Sequence, residues 1–225
     1  MHHWQIHGVA FSLPEAAVTP MIAHMCDKGW YEDPERRALQ AHLVPGDKLL
    51  ELGGGGGFLA CLAARRIGPE AVVTVEANPE MLPVIATNLA ANGQEGVAVL
   101  HGAALPGPDG RIVLNVPAAF WAAATVDVDG ARPVDVPRLS VERLLKEHAP
   151  TVLVVDVEGA EADLFETALP AALRVIILEL HPQHYSSRVT AEIFRRLAAR
   201  GFAYEPTGST GAVVCFSRIA SDFHG

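Results

Sequence analysis
The chain has 225 residues, 50% of them apolar and 19% charged, with a formal net charge of -9. That balance suits one packed α/β domain over residues 1–225 and excludes a disordered chain. The acidity excludes an affinity built on neutralising phosphates, so nucleic acid is not an expected partner. Arg36-Arg37, Arg65-Arg66 and Arg195-Arg196 are pairs in helical stretches interrupted by acids, the pattern of a solvated face. Cys26, Cys61 and Cys215 are an odd number with no paired spacing, which fits a reduced compartment, and Cys61 and Cys215 read as small core residues. Met1-His2-His3-Trp4 carries no leader pattern, and no apolar run reaches the roughly 18 residues of a membrane span. A cytoplasmic chain with no membrane partner is therefore expected; a homo-oligomer is an open alternative.

Residues 1–45 read as an N-terminal cap segment and 46–225 as the core, with an added segment over about 107–149. Asp33-Pro34-Glu35 reads as an N-cap with proline at the first helical position, and that helix runs toward Leu43 before Pro45-Gly46-Asp47 stops it. Lys48 to Leu52 is the first core strand; it ends in five glycines, Gly53 to Gly57, which lead into a helix from Phe58 closed by Gly68-Pro69. The second core strand, Ala71 to Glu76, meets Asn78-Pro79, read as a second N-cap and proline, before Met81, Leu82, Ile85 and Leu89 recur at helical spacing up to Asn92-Gly93. Val97 to His101 is the third strand, Arg111 to Val116 suggests an added hairpin, and Ser140 caps a helix through Leu145. Thr151 to Val155 and Val175 to Leu180 are continuous apolar runs, as in parallel strands buried on both faces. A helix over Thr190 to Arg200 and two strands, Phe202 to Glu205 and Ala212 to Ser217, around a turn at Thr207 to Gly211 close the chain. Alternating strands and helices predict a doubly wound, Rossmann-like, mostly parallel sheet, whose ligands bind at the carboxyl ends of the strands.

Chemistry should therefore follow each strand. Glu51 stands two residues before Gly53, Gly55 and Gly57, alternating glycines that let the backbone approach a ligand closely. A dinucleotide pattern fits only the late register Gly55, Gly57, Ala60, and leaves Glu51 and two glycines unexplained. Glu76, about twenty residues beyond the loop at a strand end, is placed to accept both hydroxyls of an adenosine ribose. That feature alone serves a nicotinamide and a methyl donor equally.

Glu51 to Gly57, Val75-Glu76-Ala77-Asn78-Pro79 and Val155-Asp156-Val157-Glu158-Gly159-Ala160-Glu161 resemble the class I methyltransferases, and among them the FkbM family, from about Gly29 to Leu180. The resemblance implies a seven-stranded sheet with an antiparallel last strand, S-adenosyl-L-methionine as cofactor, and a methyl group presented near the fourth core strand. It places Gly102 and Ala103 at the adenine and Tyr31 and Glu32 over the amino-acid end, with Gly29 and Trp30 beside them suggesting a packed lid. Asp156 and Glu158, two apart after a strand, can point the same way and hold an ammonium or accept a proton; Asp156 is the preferred base. Its bland alternative is capping of the following helix. His181, after the fifth strand, is the other candidate base because its ordinary pKa lies near neutrality. Asp156, Glu158, Glu179 and His181 also offer metal-ligand types, but no compact spacing demands an ion, and none is expected. No Asn-Pro-Pro-Tyr segment follows the fourth strand, which favours O-methylation of a small-molecule acceptor. An NAD-dependent Rossmann oxidoreductase and a non-catalytic S-adenosylmethionine-binding protein are the competing readings.

Overall fold
The computed structural model describes residues 1–116 and 131–219. The chain opens with a hairpin, β1 (His2–Ile6) and β2 (Val9–Leu13), antiparallel around His7-Gly8. Helices α1 (Pro20–Lys28) and α2 (Asp33–His42) follow, and then β3 (Leu49–Leu52), α3 (Phe58–Ile67), β4 (Val72–Glu76), α4 (Leu82–Ala91) and β5 (Ala98–His101). Three strands, β6 (Ala103–Leu105), β7 (Gly110–Val116) and β8 (Arg132–Ser140), precede α5 (Val141–His148) and β9 (Val152–Val155). A single turn α6 (Glu161–Leu164), β10 (Val175–Glu179), α7 (Ser187–Ala199), β11 (Phe202–Thr210) and β12 (Val213–Arg218) complete it.

Seven strands form one sheet in the order β11-β12-β10-β9-β3-β4-β5. Neighbours from β10 to β5 are parallel, and β12 runs antiparallel to both β10 and β11. This is the doubly wound sheet with an antiparallel last strand that the sequence predicts. Both faces are buried because successive strand residues alternate sides. Leu49, Val152, Val154, Val175 and Ile177 join a core with Ala38, Phe58 and Ile85 of α2, α3 and α4. Leu50, Leu153, Val155, Ile176 and Leu178 join a second core with Leu144, Ile193 and Leu197 of α5 and α7. From β3 the chain winds outward through β4 and β5, then returns to lay β9 and β10 on the other side, so the order reverses between β3 and β9, where a crevice opens.

Three local readings change. Asn78 does not cap α4: its Oδ1 accepts the Glu80 N–H at 3.1 Å, closing a turn, and the helix begins at Leu82. Glu32, in the left-handed region at φ 47, is the N-cap of α2, and Asp33 takes the first helical position, where its carboxylate accepts hydrogen bonds from Arg36 and Arg37. The strand after Phe202 continues to Thr210 through a register shift and takes in most of the predicted turn.

The added segment is a small sheet ordered β6-β8-β7, with β7 antiparallel to β8 and β6 parallel to it. Ser140 caps α5 as expected, its Oγ accepting the Arg143 N–H at 3.3 Å; residues 117–130 lie outside the described part. The N-terminal hairpin, which the sequence does not announce, is held by α4. Asn88 and Asn92, one turn apart, bond the backbone N–H and C=O of Ser12 and Ala10 as a neighbouring strand would. Asn88 Nδ2 also donates to the Gly56 carbonyl at 2.8 Å, tying the hairpin to the glycine loop. All three cysteines are free and buried.

Candidate functional site
The crevice lies at the carboxyl ends of β3, β4 and β9, alongside β6. Of the predicted cofactor residues, Gly53, Gly55, Glu76, Ala77, Gly102 and Ala103 line it, together with the predicted catalytic carboxylates Asp156 and Glu158.

The glycine loop is anchored by its neighbours. The N–H groups of Gly53 and Gly54 donate to the Val75 carbonyl at 2.9 and 3.0 Å, and Gly57 caps α3. At Gly55, φ is 50, and a Cβ there would meet nothing closer than the Glu32 Oε1 at 3.6 Å. Its space is open, as a loop that receives a ligand against its backbone requires.

Glu76 ends β4, largely buried. One carboxylate oxygen accepts the Gly55 N–H at 2.8 Å and the other the Asn78 N–H at 2.6 Å. Burial pushes its carboxyl up to about 7 against these amides. Gly102, Ala103 and Ala104 oppose it with small side chains, room for a flat ring. These residues fit S-adenosyl-L-methionine.

Glu51, Gly57, Asn78, Tyr31 and Glu32 do not line the crevice but stand behind or beside it. Glu51 is 1% exposed with Oε2 unbonded, and burial, with the charge of Glu76, pushes it up to about 8. Tyr31 packs on Phe11 and Phe58 with ring centroids at 4.8 and 5.8 Å, so it is a core aromatic that also faces Gly55. Trp30, by contrast, is 53% exposed and touches His24 edge-on, so it is no packed part of a lid.

Beside the glycine loop, the crevice carries a set of acids around one imidazole. Asp156 follows β9 and hands its N–H to the Leu52 carbonyl. It does not cap α6, whose N-cap is Ala160 with no side-chain bond. Burial and then the charges of Glu179, Glu158, Glu32 and Glu35 hold the Asp156 carboxyl well above its ordinary value. Glu158 sits in the left-handed region at φ 50.

His181 is 4% exposed, outside the crevice lining, and its Nδ1 pairs with Glu161 Oε1 at 2.6 Å. Its Nε2 lies 3.4 Å from Asp156 Oδ1 and 3.5 Å from Glu158 Oε2. Burial alone would lower its pKa, but the Glu161 hydrogen bond and the charges of Glu158, Glu161 and Glu179 outweigh it and raise it. Glu161 and Glu35 escape the sequence reading: both look like ordinary acids of a first helical turn, yet one is fully buried against His181 and the other is pushed to about 7 by burial and by Glu179.

A sheet in this order, with a glycine loop after its first core strand and an acid after its second, is the fold of the class I S-adenosylmethionine-dependent methyltransferases. Residues 54–204 match the model of the methyltransferase FkbM domain, and the chain belongs to that family. Among curated relatives, it is 39% identical over 122 residues to the ribosomal protein L11 methyltransferase of Thermus thermophilus, across 52% of this chain and 46% of that protein. It is 41% identical over 58 residues to the arsenite methyltransferase of Halobacterium salinarum, across 25% of this chain and 15% of that one. The chain thus spans under half the length of either relative. Two solved structures share the fold: M. jannaschii TYW2 in complex with AdoMet (TM-score 0.52, 15% identity, 96% of this chain and 86% of that one) and precorrin-6y C5,15-methyltransferase from Geobacter metallireducens (0.50, 11%, 93% and 94%). Among the described residues no helix is long and apolar enough to cross a membrane.

Proposed function
We propose that the chain catalyses O-methylation of a small molecule, with S-adenosyl-L-methionine as methyl donor. The observation that carries this is that Asp156 and Glu158 line the same crevice as Gly55 and Glu76. When bound, the donor supplies an electrophilic methyl on a sulfonium, and its transfer is an in-line displacement that asks the protein for alignment and a base. Gly55 and Glu76 would hold the adenosine, with Gly102 and Ala103 against its ring. Asp156 would take the hydroxyl proton: a carboxylate held above its ordinary pKa is the stronger base. His181, its ring fixed by Glu161, turns Nε2 toward Asp156 and Glu158.

A lysine side chain of a protein is the second reading. The acid-lined crevice would attract an ammonium, and the chain resembles a relative named for ribosomal protein L11.

Calorimetry with S-adenosylhomocysteine and NADH tests the cofactor first; NADH binding alone would sink the proposal in favour of an oxidoreductase. S-adenosylhomocysteine release is then followed with a panel of small alcohols, phenols and lysine peptides. Asp156→Ala should cut turnover by about 10²-fold or more, the contribution of a positioned base, while leaving S-adenosylhomocysteine affinity in place. Turnover intact in Asp156→Ala but lost in His181→Ala would move the base to the histidine. No turnover with any acceptor despite cofactor binding would leave the non-catalytic reading standing.

A further inference from the structure
We propose that Asp156, Glu179 and His181 form a binding site for one divalent transition-metal ion at the edge of the crevice. Each offers one ligand atom, and the three atoms lie within 4.8 Å of one another. They come from the carboxyl ends of adjacent parallel strands, β9 and β10, so the sheet register brings them together rather than a flexible loop. Ligands at about 2.0–2.2 Å from an ion stand roughly 3 Å apart, so the acid side chains need only a small inward swing.

The histidine separates this cluster from an ordinary run of surface acids. Its ring is nine-tenths buried, and Glu161, itself without exposed surface, fixes the ring by bonding Nδ1 at 2.6 Å and is steadied in turn by the Gly159 N–H at 3.1 Å. A carboxylate on the far ring nitrogen sets the orientation and basicity of a metal-binding imidazole. Nε2 is thereby aimed at the acids, yet it makes no hydrogen bond: its nearest carboxylate oxygens are 3.4 and 3.5 Å away. One of these, Asp156 Oδ1, is buried and has no hydrogen-bond partner. A cation between them would satisfy both atoms.

Among the described residues, the ion pairs of Asp156, Glu158 and Glu161 run only to His181 and His184, so no lysine or arginine fills this role. One imidazole with two carboxylates suits Mn²⁺, Fe²⁺, Co²⁺ or Zn²⁺ better than Mg²⁺, whose preferred ligands are all oxygen. Three protein ligands leave a position open for a substrate oxygen. The consequence for catalysis rests on the O-methylation reading: with the ion bound, Asp156 would serve as its ligand, the ion would acidify the acceptor hydroxyl, and Glu158 would take the proton in place of Asp156.

The test is titration of the chelator-treated full chain with Mn²⁺, followed by electron paramagnetic resonance, and with Zn²⁺ by calorimetry. One ion per chain is expected. Asp156→Asn, Glu179→Gln and His181→Gln should each weaken binding at least as much as Glu161→Gln, which by reorienting the imidazole should weaken it roughly 10–100-fold. Glu15→Gln, far from the site, should bind as wild type. S-adenosylhomocysteine affinity reports the fold of each variant, and metal affinities are compared among the variants that keep it. Absence of binding by either ion at millimolar concentration, or equal binding by the folded variants, overturns the site. Loss of S-adenosylhomocysteine binding by the wild type would instead overturn the methyltransferase reading and leave the metal result to stand by itself.

Discussion
Gly53 and Asp156 meet backbone against backbone across the reversal point of the sheet: a Cβ on Gly53 would lie 1.7 Å from the Asp156 carbonyl oxygen. The glycine loop and Asp156 are thus held by the same contact.

Gly53→Ala should therefore act on the fold. At φ 93 an alanine is strained, and its methyl would force β3 and β9 apart where Asp156 also donates to Leu52. Overpacking of a tight core costs about 1–3 kcal/mol, and backbone strain adds about 1–3 kcal/mol more. Thermal melting should show a large drop or no folded protein. Gly55→Val should act on binding, because its side chain enters open space and occludes the crevice. Its melting temperature should fall modestly while S-adenosylhomocysteine affinity disappears. Equal affinity in Gly55→Val would refute the loop assignment.

Cofactor affinity should depend on pH through Glu76. Burial raises its carboxyl to about 7, so below that pH the free protein holds it neutral. Two ribose hydroxyls need the ionised form as acceptor, so binding must expel a proton there. Affinity for S-adenosylhomocysteine should be greatest above about pH 7 and weaken as pH falls through that value. Calorimetry at pH 7 in buffers of different ionisation enthalpy should record proton release. Glu76→Gln should lose about 1.5–3 kcal/mol, the range for hydrogen bonds to a charged group, and flatten the pH profile. A profile unchanged by that substitution would remove Glu76 from the ribose.

Asn88→Leu should loosen the N-terminal hairpin and the loop together. Asn88 makes three hydrogen bonds, two to Ser12 and one to Gly56, from a fully buried position. Its loss strands those backbone groups at about 1–3 kcal/mol each, partly offset by the buried leucine. Hydrogen exchange should show deprotection at Ser12 and in residues 53–57, with β9 and β10 unchanged. Deprotection confined to the hairpin would show that the two are not coupled.

The parallel core was legible because strands buried on both faces leave continuous apolar runs such as Val152–Val155, and the place of Glu76 and Asp156 in the crevice because it opens where parallel strands end. What stayed hidden depends on partners distant in sequence. His2–Ile6 and Val9–Leu13 mix polar and aromatic residues, and β2 is completed by two asparagine side chains from α4. β8 carries Pro133 and Pro137, which read as loop, yet it pairs along its length with β7. Glu161 is indistinguishable in sequence from a solvated helix acid until β10 brings His181 against it. Asn78-Pro79 has the composition of a helix start, but the asparagine found a nearer amide at Glu80.

Asp47 should set the acid limit of stability. It sits at the foot of β3, 6% exposed, and accepts hydrogen bonds from the Val44 N–H at 2.7 Å, the Thr151 hydroxyl at 2.7 Å and the Arg174 guanidinium. Thr151 and Arg174 immediately precede β9 and β10, so one carboxylate joins the starts of the three strands whose far ends carry Gly53, Asp156 and Glu179. Burial alone would raise its pKa, but the Arg174, Val44 and Thr151 hydrogen bonds outweigh it and hold it below the ordinary 3.8. The unfolded chain therefore takes up a proton before the folded one does. The stabilisation is complete above the unfolded value, about pH 4, and is lost as pH falls through the lower folded value. Asp47→Asn should cost about 1–3 kcal/mol at pH 7, with Arg174 free to turn toward solvent, and the difference from wild type should shrink below about pH 4. Denaturant melts at pH 7 and pH 3 check both; a gap that widens on acidification would mean that Asp47 is not the group whose protonation loosens these strands.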